Sequence, residues 1–527
     1  MLVVGAGFAG VYQLYRAREI GLSVRVLEAG DGVGGTWFWN RYPGARCDVE
    51  SLDYSYSFSR ELEEEWKWSE RYAPQVEILS YIEHVVDRFS LRDGIQLGAR
   101  VSQANFDDER LLWTVRTEGG EVFECTYLVM ATGSLSIPQR PQLKGLDDFK
   151  GRWYHSAQWP KEGADFTGQR VALIGTGSSG VQMVPIIAEQ ASQLTVFQRT
   201  ANFSVPAHNV PFTEKALAAA KARYPDRRAM GREAITGQFL NANTKTAAEM
   251  TDEEQRAELE YRWKGAGGGF RMLRTFADQM SNLDTNKMVA DFARDRIRSV
   301  VKDPTKAELL CPKGDLPFGG KRLCVDSHYY ETFNREHVAI VDAAAHPVIE
   351  ATANGLRTDE GEYAVDAIVF ATGFDALSGA LKAIDIHGTG GVSLRDKWEH
   401  GPTSYLGLSI AGFPNMFVVA GPGSPSVLSN MVHSIETHVD WIMKLVRQAQ
   451  ATGVRRIEAT QEAEDSWVLR CTEEANKTLY PRANSWYMGA NIPGKPRVFM
   501  AFVSGVPLYR RIIEDVASKN YQGFKMA

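Results

Sequence analysis

The sequence predicts an α/β protein built from two Rossmann-like dinucleotide-binding domains, with a helical insertion in the second. Three observations carry that reading. An apolar strand runs into a G-x-G-x-x-G turn and a helix at Leu2–Gly10, and the same unit returns at Arg170–Gly180. Two further apolar stretches, Tyr127–Gly133 and Ala364–Gly373, each end in Ala-Thr-Gly and read as return strands. The two glycine turns lie 170 residues apart, which makes them separate domains and not units of a solenoid.

At 527 residues the chain exceeds one ordinary core, so two or three domains are expected. The 59 basic and 65 acidic residues leave a net charge of -6. That balance offers no basic field for nucleic acid or an anionic membrane, so any phosphate site must be local. Five cysteines (Cys47, Cys125, Cys311, Cys324 and Cys471) contain no C-x-x-C. They fit a reducing cytoplasm and give no dithiol or zinc pattern, so no metal is expected. No segment approaches the roughly 18 continuous apolar residues of a membrane span. Met1 is followed at once by the first strand, which predicts that a native leader has been lost from this numbering.

In the first unit, Gly5 permits the tight turn, Gly7 lets backbone approach a pyrophosphate, and Gly10 lets helix pack on strand. The helix is expected over Val11–Ile20, with Val11, Leu14 and Ala17 on one face. A second strand, Ser23–Leu27, delivers Glu28, 18 residues beyond Gly10. A carboxylate there accepts from a ribose 2′-hydroxyl and repels a 2′-phosphate, so the site wants FAD or NAD. The loop that follows, with Gly35, Thr36, Trp37, Trp39, Arg41, Tyr42 and Arg46, is unusually rich in rings. Such rings pack either against a planar ligand or beneath a neighbouring domain.

In the second unit, Gly175, Gly177 and Gly180 repeat the turn, and the strand Leu194–Gln198 ends in Arg199-Thr200 where the first has Glu28. A guanidinium at that place welcomes a 2′-phosphate, which predicts NADPH. From Thr213 to Leu310 the chain is charged and alanine-rich at helical spacing. It has a capping box at Thr251–Glu254 and is interrupted at Gly265–Gly269. This reads as an insertion within the NADPH domain, its charges mostly a solvated face. The adjacent Lys321 and Arg322 are surface charge or ligands on sequence alone. Gly421–Met431 is a turn-rich loop entering a helix that runs through His438 and Trp441, and Asn484–Pro496 is a glycine and proline loop with an exposed Trp486. The expected boundaries are 1–135 and 374–527 for the FAD domain, 136–160 for a linker, 161–212 and 316–373 for the NADPH domain, and 213–315 for the insertion.

The linker contains Phe149, Gly151, His155, Trp159 and Pro160 in the order F-x-G-x-x-x-H-x-x-x-W-P. By spacing alone it is an ordinary packed connector with a structural histidine. The loop from Gly35 to Asp48 reads G-x-W-x-x-x-x-Y-P-G-x-x-x-D. Together these resemble the two fingerprints of the class B flavoprotein Baeyer-Villiger monooxygenases. The runs Trp39–Asp48 and Gly373–Ala376 are closest to the phenylacetone and steroid monooxygenases of that family. The resemblance implies FAD and NADPH/NADP+ as cofactors. It implies ketones (aryl, cyclic or steroid-like) and O2 as substrates, and esters or lactones made through a C4a-peroxyflavin. It makes Arg322 the catalytic arginine at the flavin, oriented by Asp48, and Lys321 a ligand of the 2′-phosphate beside Arg199 and Thr200. Ser426, Val427, Leu428 and Met431 would line the ketone pocket, and Trp486 would close over the NADP as part of a mobile lid. A cytoplasmic monomer or weak homo-oligomer is expected. Two alternatives stay open. One is a flavin monooxygenase oxidising nitrogen or sulfur, whose hinge usually ends in an aromatic other than Trp-Pro. The other is a non-oxygenating NADPH oxidase or redox sensor, which needs neither Asp48 nor Arg322.

Overall fold

Five parallel strands form the first sheet, in the order Met416–Val418, Leu128–Met130, Leu2–Val4, Arg25–Leu27, Ile95–Gln96. The computed structural model describes residues 1–265, 268–314 and 316–527, so the glycine run expected at 265–269 lies partly outside the described residues. The strands are short and apolar, and those at the centre are buried on both faces, as parallel strands flanked by helices must be. Met416 pairs with Leu128 although the whole second nucleotide unit intervenes, so the first domain is completed by the C-terminal part of the chain. The second sheet is also parallel, in the order Val338–Asp342, Gln193–Gln198, Arg170–Ile174, Ala367–Phe370, Arg152–His155. Both are Rossmann-type sheets, each followed at its first strand by a helix, Phe8–Glu19 and Ser178–Gln190.

The stretch 136–160 is more than a connector. Its residues Arg152–His155 form the edge strand of the second sheet, in register with Ala367–Phe370. Gly151 makes this possible, since a Cβ there would stand 2.2 Å from the Asp366 carbonyl oxygen. Phe149 is buried in that domain, and Trp159 stacks on Tyr154 at 5.3 Å between ring centres. Aromatic content suggested a packed hinge. Strand pairing, which depends on a partner more than 200 residues away, was not visible in it.

The insertion holds the helices Glu214–Ala222, Tyr224–Glu233, Asp252–Glu260, Leu283–Val300 and Pro304–Leu310. The capping box at Thr251–Glu254 is formed, with Thr251 N donating to Glu254 Oε2 at 2.8 Å. One expectation fails here. The insertion's buried Leu217, Tyr224, Leu240, Phe270, Met272 and Phe276 belong to one continuous core with Val3, Leu14 and Ile82 of the FAD domain. Only its last part, from Ile297 to Cys311, joins the core of the NADPH domain. Its charges are mostly solvated, as expected, but Arg227, Arg228 and Arg271 turn inward. Arg227 bridges Asp53 at 2.6 Å and Glu50 at 2.8 Å, Arg228 bridges Glu63 at 2.7 Å, and Arg271 also pairs with Glu50. A helical repeat marks a charged face without revealing that another domain presents carboxylates to it.

Glu50 is the hub of this contact, also accepting from Arg71 at 2.7 Å. Burial pushes its carboxyl up, and Arg271, Arg71 and Arg227 outweigh that to hold it at about 2. A depressed carboxylate contributes stability that is present above its unfolded pKa and is lost as pH falls toward the folded one. The shift from the ordinary 4.5 to about 2 corresponds to roughly 3 kcal/mol at neutral pH. Glu50→Gln should therefore lower stability at pH 7 by roughly that amount and flatten the acid dependence between pH 4.5 and 2. Chemical denaturation followed by tryptophan fluorescence at several pH values measures both effects. Equal stability of the two proteins at pH 7 would show that Glu50 does not hold the insertion down.

Candidate active site

The two glycine turns solve one packing problem twice. A Cβ on Gly5 would lie 2.5 Å from the Ala131 carbonyl oxygen, and a Cβ on Gly175 would lie 2.5 Å from that of Ala371. Both glycines have positive φ, +103° and +111°. A Cβ on Gly10 or Gly180 would strike the carbonyl oxygen of Gly5 or Gly175 at 1.8 and 2.1 Å. The return strands ending in Ala-Thr-Gly are thus the walls against which the turns close. Gly7 approaches Gly35 of the ring-rich loop, a Cβ there reaching 3.3 Å from its Cα, whereas a Cβ on Gly177 would meet nothing within 4 Å. Helices Phe8–Glu19 and Ser178–Gln190 begin at Gly7 and Gly177, whose caps offer no side-chain acceptor. Their first-turn N–H groups are thus left for an anion, and the residues present fit a dinucleotide pyrophosphate at each turn.

Glu28 is buried beside the first turn, its Oε2 accepting from Ala6 N and its Oε1 from Gly30 N, both at 2.7 Å. It braces the loop through these two bonds. Arg199 and Thr200 are exposed at the matching place in the second unit, and Lys321 is half-buried.

The ring-rich loop bridges the two domains. Trp37 is buried and donates to the Tyr54 hydroxyl at 3.2 Å, with Thr36 opening the short helix Thr36–Trp39. Tyr42 donates to Gln182 Oε1 at 2.8 Å, and Gln182 Nε2 donates to the Arg46 carbonyl at 3.2 Å. Gln182 lies on the second nucleotide helix, so one amide side chain clamps the first domain's loop. A helical glutamine carries no sequence signal of that role.

At the end of this loop Asp48 meets Arg322. Arg322 Nε and Nη2 donate to the two carboxylate oxygens at 2.7 and 2.8 Å, a planar fork. Its Nη1 donates to the Val427 carbonyl at 2.8 Å, and its guanidinium lies 5.2 Å from the centre of the Phe270 ring. Burial alone would lower its pKa; Asp48 and the Tyr487 hydroxyl outweigh burial and keep it above the ordinary arginine value. Tyr487, which burial holds neutral, was not singled out in the sequence although it neighbours Trp486. Phe270 had no signal at all, lying in the insertion. The structure therefore gathers Asp48, Arg322 and the 426–431 loop, and adds Tyr487 and Phe270.

Within that loop Val427 is buried, Leu428 and Met431 are half-buried, and Ser426 is fully buried at φ +40° with Oγ on the Ala420 carbonyl at 3.3 Å. Ser426 thus fixes the loop's shape from behind. Trp486 is not exposed as expected. It is half-buried, with its ring 4.4 Å from that of Tyr487, because the loop is folded back over the site. His155 accepts from Ala157 N at 3.1 Å through Nδ1, and Nε2 lies 3.1 Å from Thr372 Oγ1, which donates to the Gln139 carbonyl at 3.0 Å. Burial lowers its pKa, so the neutral ring donates from Nε2 and ties the outgoing crossing to the Ala371-Thr372-Gly373 return.

Among the described residues no group of His, Cys, Asp and Glu is arranged to hold a metal, and no helix is long and apolar enough to cross a membrane. Residues 2–259 match the model of the pyridine nucleotide-disulphide oxidoreductase family. The chain is 41% identical over 522 residues to a Baeyer-Villiger monooxygenase of Pseudooceanicola batsensis, covering 99% of this chain and 95% of that protein. It is also 41% identical over 526 residues to phenazine N-monooxygenase PhzNO1 of Lysobacter antibioticus, covering 99% and 96%. Among solved structures, oxidised steroid monooxygenase bound to NADP superimposes with a TM-score of 0.95 at 50% identity, over 100% of this chain and 98% of that one. Full-length identity at this level, the doubled nucleotide fold and the two fingerprints agree: the chain belongs to the Baeyer-Villiger monooxygenase family.

Proposed function

We propose that this enzyme uses FAD and NADPH to convert ketones and O2 into esters or lactones, with Arg322 as the catalytic cation. The observation that carries the reading is the fork of Arg322 on Asp48, with its third nitrogen on the backbone of the 426–431 loop. Bound FAD, once reduced by NADPH, would activate O2, one atom of which enters the ester while the other leaves as water. Gly5, Gly7, Gly10 and Glu28 hold the FAD nucleotide, with Gly35, Thr36, Trp37 and Tyr42 in the loop beside it. Gly175, Gly177 and Gly180 hold the NADP pyrophosphate, while Arg199, Thr200 and Lys321 face the 2′-phosphate.

Oxygen insertion beside a carbonyl builds negative charge on oxygen in a site shielded from water. A guanidinium stabilises that charge without losing its proton, and Asp48 fixes its plane while cancelling part of its field. Val427, Leu428 and Met431 shape the ketone pocket, and the tie from Arg322 to the Val427 carbonyl makes that shape depend on the cation. The enzyme acts on bulky or aromatic ketones as well as simple rings, as a monomer or weak homo-oligomer in the cytoplasm. A relative named for nitrogen oxidation at the same identity gives a second reading, oxidation of a ring nitrogen.

Product analysis with 18O2 and NADPH separates the two. An ester or lactone carrying one 18O from an aryl or cyclic ketone is expected; N-oxide from phenazines with ketones untouched would replace the first reading by the second. The Arg199→Ala variant should keep its FAD while losing most of its preference for NADPH over NADH. One lost charge-assisted phosphate contact is worth about ten- to a hundredfold in binding, and an unchanged cofactor ratio by steady-state kinetics would remove Arg199 from the site. Arg322→Ala should lower ester formation by about two to three orders of magnitude while NADPH still bleaches the flavin. Asp48→Ala should fall between that variant and the parent. Near-normal ester yield from Arg322→Ala would take the cation out of the mechanism.

A further inference from the structure

The loop that carries Trp486 and Tyr487 is held down at a second point, by Lys495. Lys495 Nζ donates to Asp375 Oδ1 at 2.5 Å and to the Ala376 carbonyl at 2.8 Å, and its side chain is only 8% exposed. Four residues earlier Asn491 Nδ2 donates to the Phe374 carbonyl at 2.8 Å. Phe374 and Asp375 are themselves part of the double crossing between the nucleotide domains. Asp375 N donates to the Ile137 carbonyl at 2.9 Å, and Gln139 N to that of Gly373 at 2.9 Å. Gly489 (φ +71°) lies between the site and these ties and Gly494 (φ +75°) between the two ties, with Pro493 and Gly494 exposed. At its other end Tyr487 meets Arg322.

The folded-back arrangement has a cost. Ser485 Oγ and Asn491 Oδ1 are buried without a partner, which disfavours it. A charge-assisted bond with a mostly buried ammonium is the strongest compensating tie among the loop's described side chains. We propose that Lys495 is a positioning residue: its ion pair with Asp375 latches the 484–500 loop onto the interdomain crossing and so holds Tyr487 against Arg322. The importance of that contact rests on Arg322 acting as described under Proposed function.

The latch is tested on FAD-loaded enzyme, with and without NADP+, by amide hydrogen exchange and by the fate of NADPH. Lys495→Met and Asp375→Asn should each speed exchange of amides in 484–500 by about tenfold, the scale of one lost tie, and leave the strand 367–370 unaffected. The double variant should exchange no faster than Lys495→Met alone, because that variant already removes the bond to Asp375. In the same three proteins a larger share of consumed NADPH should appear as hydrogen peroxide. Unaltered exchange in the single variants, or additive effects in the double one, would overturn the latch. Ester formation by the unmodified enzyme is scored separately: its absence would sink the Baeyer-Villiger reading and leave the exchange result standing.

Discussion

The forked pair of Arg322 and Asp48 is the interaction on which the rest of this molecule depends, because its two halves come from opposite sides. Asp48 closes the ring-rich loop of the FAD domain, and Arg322 stands where the insertion gives way to the returning NADPH domain. An isolated cation at such a depth would be costly to keep charged, and an isolated carboxylate equally so. Each makes the other tolerable only when the domains are in register. The remaining cross-domain ties hold that register from other directions, Gln182 on the Tyr42 and Arg46 segment and His155 on Thr372.

The same geometry explains why the glycine turns are so alike. A dinucleotide needs an open helix end, and an open end needs a turn tight enough to bring helix, first strand and return strand together. The carbonyls of Ala131 and Ala371 leave no room for a side chain on Gly5 or Gly175. The difference between the sites lies one strand further on, where Glu28 is tied into its loop by two amides and Arg199 is left exposed.

Much of this was legible in the amino acids. Both nucleotide units, their strand and helix limits to within a few residues, the discontinuous first domain and the Thr251 capping box follow from periodicity, glycine spacing and cap chemistry, all of them local. What stayed hidden is non-local. Arg152–His155 became a strand because Ala367–Phe370 lies alongside, Trp486 packs on Tyr487 in a loop tied at Asp375, and Arg227, Arg228 and Arg271 of the insertion turn inward to Glu50, Asp53 and Glu63. Phe270 and Gln182 have ordinary sequence surroundings, and only packing reveals what they touch.

The allegiance of the insertion has a further consequence. Most of its apolar side chains share a core with the FAD domain, although in chain order it interrupts the NADPH domain. The mechanical halves of the enzyme therefore differ from the halves that gene order suggests, and the backbone passes between them at least four times. A chimaera that exchanges residues 161–373 as one block would carry away part of its host's interior along with the nucleotide site. Crossovers placed instead at the borders of the insertion would leave that interior whole and move only the sheet that binds the second nucleotide.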